Sequence, residues 1–377
     1  MENETKLKIK KSKTYKIFVR SLKTSIMPLV IFFVCYIATF IIGNPIIGKS
    51  SFEADITQIL KQTFSITLMA VALSINLFSG RFDFSLGATM LLSSVVSAKI
   101  CTSFDLPFMM VLLFSVLAGT LAGAISGSAY VIFKLPPLVM SLIMTLVFEG
   151  IGHIVSGGKV ISTTNRGYDS GGALWILAIV FVVVIAILIV IFNYTKFGYN
   201  YRSLLHGQKV SVATGVKEKT NAIICYTISG ALIGVCSFFS IMNSGGPIPT
   251  GNFQSVGSVF VCFFAVFIGA YLSKWCEQNV SYLLGGFSYA IISQFFAKSN
   301  IPKVWMPVLS SVILLIFVIY LANEEKLSSL FFVKGGFKKI IKENKEKRKL
   351  KKLILAEEKI EIRDLLNNIN GIGGKNE

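Results

Sequence analysis

Ten mostly apolar runs alternate with short polar stretches along this chain. A helix needs about 20 such residues to cross roughly 30 Å of hydrocarbon. The pattern predicts spans at 25–42, 64–79, 86–102, 108–133, 138–155, 174–192, 221–242, 256–272, 280–297 and 305–322. The second and third are short and are separated by a polar break that runs from Gly80 to Ser85. The first run has no clear small-residue cleavage site after it, so it reads as a span and not as a cleaved leader. The expected architecture is an all-α, polytopic transmembrane bundle of about ten spans. A basic tail (1–24), a membrane domain (25–322) and a charged tail (323–377) divide the chain.

Composition narrows the classes that fit. The 377 residues are 53% hydrophobic and 15% charged, with a mean hydropathy of +0.69. A soluble domain carries about 25% charged residues. Two His and 19 acidic residues leave little for a metal centre or a carboxylate-rich active site, so no cofactor and no enzyme are expected. The six Cys are scattered, form no CxxC pair, and mostly lie in apolar runs where Cys acts as a small hydrophobe.

The net charge of +18 suggests nucleic acid until its distribution is considered. Lys and Arg crowd the two tails and the stretch 193–220, and are nearly absent from the apolar runs. With the N-terminal tail in the cytoplasm, alternation places these clusters inside. Lys49, Lys61, Lys159, Arg166, Lys298 and Lys303 then fall outside. This is the positive-inside bias, and it expects both termini in the cytoplasm with no nucleic-acid partner.

Two patterns concern how the spans meet. Gly119, Gly123 and Gly127 recur at four-residue spacing in the fourth span, and Gly230 and Gly234 do so in the seventh. Such faces let helices approach closely, either inside the bundle or across a dimer seam; internal packing is the preferred reading. Ser85-Leu-Gly87 opens the third span and Ser255-Val-Gly257 the eighth, five spans later. An odd offset gives the two copies opposite orientations, as in the inverted repeats of many transporters.

Several motifs could carry chemistry. Gly43-Asn-Pro-Ile-Ile-Gly48-Lys49-Ser50 satisfies the phosphate-loop pattern, but it follows a span instead of a strand and is expected outside the cell. It reads as a chance match. Glu149 and His153 share a helix face at four-residue spacing, either as a proton relay or as a stabilising pair near the outer interface. Asp83 and Ser85 sit where they can cap the third span, line a pathway, or do both. The basic stretch 193–220 is long for a connector and could form a short surface helix closed by Gly215. The C-terminal tail, with Leu and Ile at helical spacing over 340–366, suits anionic lipid headgroups.

Gly80-Arg-Phe-Asp83-Phe-Ser85-Leu-Gly87, the Pro136-Pro137-led fifth span, Ser156-Gly157-Gly158, Phe197-Gly198 through Gly215-Val216, and Pro247 with Thr250 together form a recognisable set. In these residues the chain resembles the membrane permease subunits of ABC importers of the ribose/monosaccharide type, from about Gln58 to Tyr320. Where that type carries Arg before Gly in the fifth span, this chain has Glu149-Gly150. The acidic residue found ahead of the eighth span is replaced by Gln254, and Val210-Ser211 stands in a loop one residue shorter.

The resemblance implies a homodimeric, multi-pass protein of the cell membrane that catalyses no bond chemistry. A cytoplasmic ABC ATPase would dock on the stretch bearing Gly198, Gly207, Ala213 and Gly215. An extracytoplasmic solute-binding protein would meet loops 156–172 and 243–255. The solute expected is a monosaccharide such as ribose, with nucleosides or branched-chain amino acids as alternatives. A proton-coupled secondary carrier using Glu149 and His153 remains the reading from a different class. Asp83, Ser85, Glu149 and Asn252 are the candidates for the solute pathway.

Overall fold

A computed structural model describes residues 52–163, 174–273 and 276–299, together with positions scattered through 26–47 and 308–319. Residues 1–314 form one compact unit and 315–377 a second. Among the described residues every regular element is an α-helix. The chain order is α1 (Pro28–Ile37), α2 (Phe52–Phe78), α3 (Leu86–Ser103), α4 (Phe108–Phe133), α5 (Pro137–Ser156) and α6 (Leu174–Tyr194). Then follow α7 (Lys196–His206), α8 (Gln208–Ala213), α9 (Glu218–Ser244), α10 (Val256–Leu272) and α11 (Gln278–Lys298). Seven of these, α2 to α6, α9 and α11, are long and apolar enough to cross a membrane. Helices α1 and α10 are shorter and apolar. The tenth expected span, the Gly43–Ser50 motif and both tails lie wholly or mostly outside the described residues.

The helix ends follow local chemistry. Pro137 occupies the first turn of α5, where its missing N–H is no loss. Gly157 closes the same helix in the left-handed conformation, φ 64°. Hydropathy placed α4 and α10 at the observed bounds, but it set α2 twelve residues too late. The first turns of α2 carry Glu53, Asp55 and Lys61 and read as loop. In the fold, Asp55 is buried against α11, where Lys298 Nζ lies 2.8 Å from Oδ1 and Gln294 Nε2 donates to the same oxygen at 3.2 Å. A carboxylate paired in this way can sit inside a helix bundle that would reject it alone.

Packing repeats across the two halves. Helix α3 lies against α4 and α9, while α10 lies against α11 and α2. Helix α4 packs on α9, and α11 packs on α2. Exchanging α2, α3, α4 for α9, α10, α11 therefore maps each contact onto another, as the repeated Ser-x-Gly predicts. The α4–α9 seam is made by the small-residue faces. A Cβ on Gly119 would strike the Gly230 carbonyl oxygen, and one on Gly234 would strike that of Ser115. In lipid, where no hydrophobic force separates helix from solvent, such backbone approach is a main source of adhesion. These glycines pack inside the protomer.

Candidate functional site

The first turn of α3 and the first turn of α10 abut. A Cβ on Gly87 would fall on the backbone oxygen of Ser255 and come within 2.8 Å of Ser258 Oγ. The meeting point lies part-way along α9. Asn76 of α2 donates to Ser229 Oγ at 3.3 Å, and Ser237 Oγ donates to the Met90 carbonyl at 2.9 Å. Ser229 and Ser237 stand about 16 and 28 Å from the start of α9 at 1.5 Å per residue, in a helix about 40 Å long. Helices α3 and α10 thus begin part-way along α9 with their N-termini together.

Each N-terminus carries the equivalent of about half a positive charge, so the two repel unless anionic groups face them. Both receive a carboxylate. Asp83 Oδ1 accepts the Ser85 backbone N–H at 2.9 Å and the Ser85 hydroxyl at 2.6 Å, while Oδ2 accepts from Asn76 Nδ2 at 3.4 Å. Glu149 reaches across from α5: Oε1 accepts the Ser255 N–H and Oε2 the Phe253 N–H, each at 2.9 Å. Asp83 is 1% and Glu149 2% exposed, so neither has water to replace these bonds. Ser85 and Ser255 are the matching N-caps of α3 and α10, with φ −71° and −66°.

Of the four candidate pathway residues, Asp83 and Ser85 are bonded together and Glu149 grips the opposite helix start. Asn252 is exposed in the turn before α10, at φ 57°, and does not line the cavity described next. The expected Glu149–His153 pair is a correction. Glu149 is buried with its oxygens on two backbone amides, and His153 is exposed near Gly158. Four-residue spacing put the two on one face, but two backbone N–H groups, that of Ser255 buried, compete better for the carboxylate than an exposed imidazole does.

A cavity of about 290 Å³ opens beside this junction, between α3, the last turns of α9 and the segment 246–258. Ser94, Ser240, Ser244, Thr250, Ser258 and Gln254 line it among Met90, Leu91, Pro247 and Ile248, and no charged side chain does. Ser94, Ser244 and Ser258 donate to carbonyls of their own turns, which leaves their oxygens free to accept. Thr250 Oγ1 and Ser255 Oγ are buried without a hydrogen-bond partner in the protein. The hydroxyls were hard to read from sequence, since a serine in an apolar helix is satisfied as well by its own carbonyls. A larger cavity of about 400 Å³ between α4, α6 and α9 is lined by aliphatic residues alone and offers nothing to orient a polar solute.

At the other end of α9 the stretch 193–220 folds into α7 and α8. The Thr195 hydroxyl caps α7 by accepting Gly198 N–H at 3.3 Å. Tyr201 turns inward and donates to the Ile75 carbonyl of α2 at 3.1 Å. Burial pushes its phenol far above the ordinary range, which keeps that donor protonated. Ser211 Oγ lies 2.7 Å from Ser203 Oγ and locks α8 onto α7. Gly215 follows the end of α8 at φ 94°, as the sequence predicts. Val210, Val212 and Ala213 are exposed, beside Lys209 and Lys217. Gly198 faces inward against Phe192, and Gly207 is the half-buried joint between the helices.

Residues 56–319 match the family model described as branched-chain amino acid transport system / permease component. The chain belongs to this family. Among its relatives, a fructose import permease protein of Bifidobacterium longum is 22% identical over 76% of this chain and 88% of its own length. A fructose import permease protein of Rhizobium meliloti is 24% identical over 57% of this chain and 64% of its own. A ribose import permease protein of Haemophilus influenzae is 24% identical over 55% and 67%. No solved structure matches. As a permease-family member with seven helices fit to span a bilayer, the chain is a multi-pass protein of the cell membrane.

Proposed function

We propose that this chain is the permease subunit of an ABC importer that admits a monosaccharide, with ATP hydrolysed by a separate subunit. The observation that carries the solute class is the uncharged cavity at the α3–α10 junction, where serine and threonine side chains and Gln254 stand among apolar ones. A sugar hydroxyl both donates and accepts, and the cavity offers it the acceptor oxygens of Ser94, Ser244 and Ser258. A zwitterionic amino acid would need partners for two charges, which this lining lacks. The names of the fructose and ribose relatives point the same way.

In this reading the chain crosses the membrane about ten times with both tails in the cytoplasm. Two copies form the channel, and the basic C-terminal tail lies on anionic lipid. The ATPase meets the exposed face of α7 and α8, where Val210, Val212 and Ala213 stand among lysines. A solute-binding protein meets loops 156–172 and 243–255. Backbone hydrogen bonds support this pairing of loops, since Thr163 N donates to Gly245 O at 2.9 Å and Ile161 N to Pro247 O at 3.4 Å. Asp83, Ser85 and Glu149 shape the pathway without lining its cavity.

Uptake of labelled ribose and fructose, measured with an uncoupler present and ATP maintained, tests the energy source. Uptake should persist; loss of uptake with the gradient would restore the proton-coupled carrier. The docking face has its own test. Gly207→Glu with Ala213→Glu should abolish retention of the ATPase in a pull-down while the permease stays in the membrane. Normal retention would remove this face from the proposal.

A further inference from the structure

Helices α3 and α10 use one capping scheme in two forms. At α3 the carboxylate stands two residues before the N-cap serine and receives that serine's amide from within the same loop. At α10 the position two residues before the N-cap serine is Phe253, which has no acceptor, and the amide of Ser255 is received by Glu149 from α5. Glu149 also holds the amide of Phe253, so it grips two alternate residues of the turn that leads into α10.

We infer that Glu149 is a positioning residue that latches the segment 245–255 to α5 and so fixes the shape of the cavity at the α3–α10 junction. The segment is held at both ends from the same direction. Its start is tied by the Ile161 and Thr163 amides, in the stretch that follows α5. Its end is tied by Glu149. Between the two ties lie Ile248 and Thr250, and both line the cavity. Nothing regular braces the stretch itself, for Gly245 and Gly246 have φ 72° and 145°, and Asn252 and Phe253 have φ 57° and 63°. Within the stretch a backbone bond from Gln254 N to Gly251 O closes a turn at 3.2 Å, while the amides of Phe253 and Ser255 are received by Glu149 of α5.

A local cap and a remote cap differ in what they can do. Asp83 moves with the helix that it caps. Glu149 joins two helices, so any shift of α5 against α10 must either carry the segment along or break the latch. The amide pair makes the junction discrete, since both bonds need the carboxylate in one place. The latch thereby couples the position of α5 to the width of the cavity. This builds on the reading of that cavity as the solute path, but the contact and its effect on the segment can be measured without any solute.

The test uses the full chain in membrane vesicles with Thr250→Cys as reporter and Cys35 and Cys276, the two half-buried native thiols, replaced by Ser. The probe is a membrane-impermeant methanethiosulfonate. Thr250 Oγ1 is buried, so labelling of the parent should be slow. Glu149→Gln keeps the size but turns an N–H donor toward one of the two amides, and labelling should rise at least about tenfold, the scale of losing one charge-assisted bond to a buried group. Adding Phe253→Asp to Glu149→Gln puts a carboxylate two residues before the N-cap serine, the chain position that Asp83 holds in the other half. Asp accepts positive φ more readily than Phe and can form the same turn with the amide two residues on. This double variant should return labelling to within a factor of about two of the parent, which a general packing defect would not do. Unchanged labelling in Glu149→Gln overturns the latch. So does a double variant that labels as fast as Glu149→Gln. If Glu149→Gln fails to insert, Glu149→Asp keeps the charge and shortens the reach, and labelling no faster than the parent's overturns the latch. Failure of sugar uptake with a working latch would instead count against the proposed solute.

Discussion

At the start of α3 the carboxylate that receives the N-cap amide is two residues away in the chain. At the start of α10 it is 106 residues away, on another helix. The two N-cap serines share a helical backbone, φ −71° and −66°, although Phe253, two residues before the second, has φ 63°. The demand is the same, because a helix N-terminus that faces another needs an anionic group. One half of the repeat meets that demand locally and is self-contained. The other half depends on a tertiary contact and is therefore open to adjustment. The same electrostatic need is thus met in the two halves by carboxylates from different places in the chain.

Removing the local cap should have the larger effect. Asp83→Ala strips an acceptor from the Ser85 amide, the Ser85 hydroxyl and Asn76 Nδ2, all of them buried. With no water at hand, the loss should come to roughly 3 kcal/mol. The check is the midpoint of thermal unfolding of the purified chain in nanodiscs, where Asp83→Ala should lie well below Glu149→Gln. Glu149→Gln leaves one acceptor on the amides and should cost about half as much by the same rule. A reversed order would mean that α10, and not α3, is the more strongly braced helix.

Sequence reading reached the local half of this comparison and missed the remote half, for a physical reason. Asp83 and Ser85 show their relation in their spacing, because a turn of two residues dictates who can reach whom. Glu149 and Phe253 or Ser255 show nothing, because the groups on the far side are backbone amides that every residue possesses. The departures at Glu149 and Gln254 from the monosaccharide permeases looked unrelated in the chain, yet they flank one hydrogen-bonded junction. Periodicity misled in the same way at Glu149 and His153, which share a face but not a partner. Small residues were more legible. The four-residue spacing of Gly119, Gly123 and Gly127 marked a close seam, and such a seam needs little more than the absence of side chains. Paired charges were less so, since Asp55 resembles a loop residue until Lys298 is found beside it.

Gly87 and Gly257 hold matching places in the two halves, each two residues after an N-cap serine, yet their surroundings differ. A methyl at Gly87 has no room, because it would meet the Ser255 backbone and the Ser258 hydroxyl. Backbone cannot rotate away as a side chain can, so the α3 and α10 starts must separate. Gly87→Ala should destabilise by about 1–3 kcal/mol. It should also speed labelling at Thr250→Cys, because Gly87 and Thr250 line one cavity. A normal unfolding midpoint with slow labelling would show that the junction tolerates separation.

The smallest effect belongs to Gly257→Ala. Gly257 is exposed, and no atom outside its own helix neighbourhood lies within 4 Å of an added Cβ. It stands in the first turn of α10, where Ala is the better helix former by up to about 1 kcal/mol, an advantage reduced near a helix end. The unfolding midpoint of the purified chain should therefore stay the same or rise slightly, in contrast to Gly87→Ala. The informative measurement is uptake in cells beside that midpoint. With both unchanged, the glycine at this place in α10 is a remnant of the repeat whose packing task survives only at Gly87. With the midpoint unchanged and uptake lost, the open face of Gly257 meets a second copy of the chain or the arriving solute. The asymmetry would then separate a glycine that closes the protomer from one that serves the assembly.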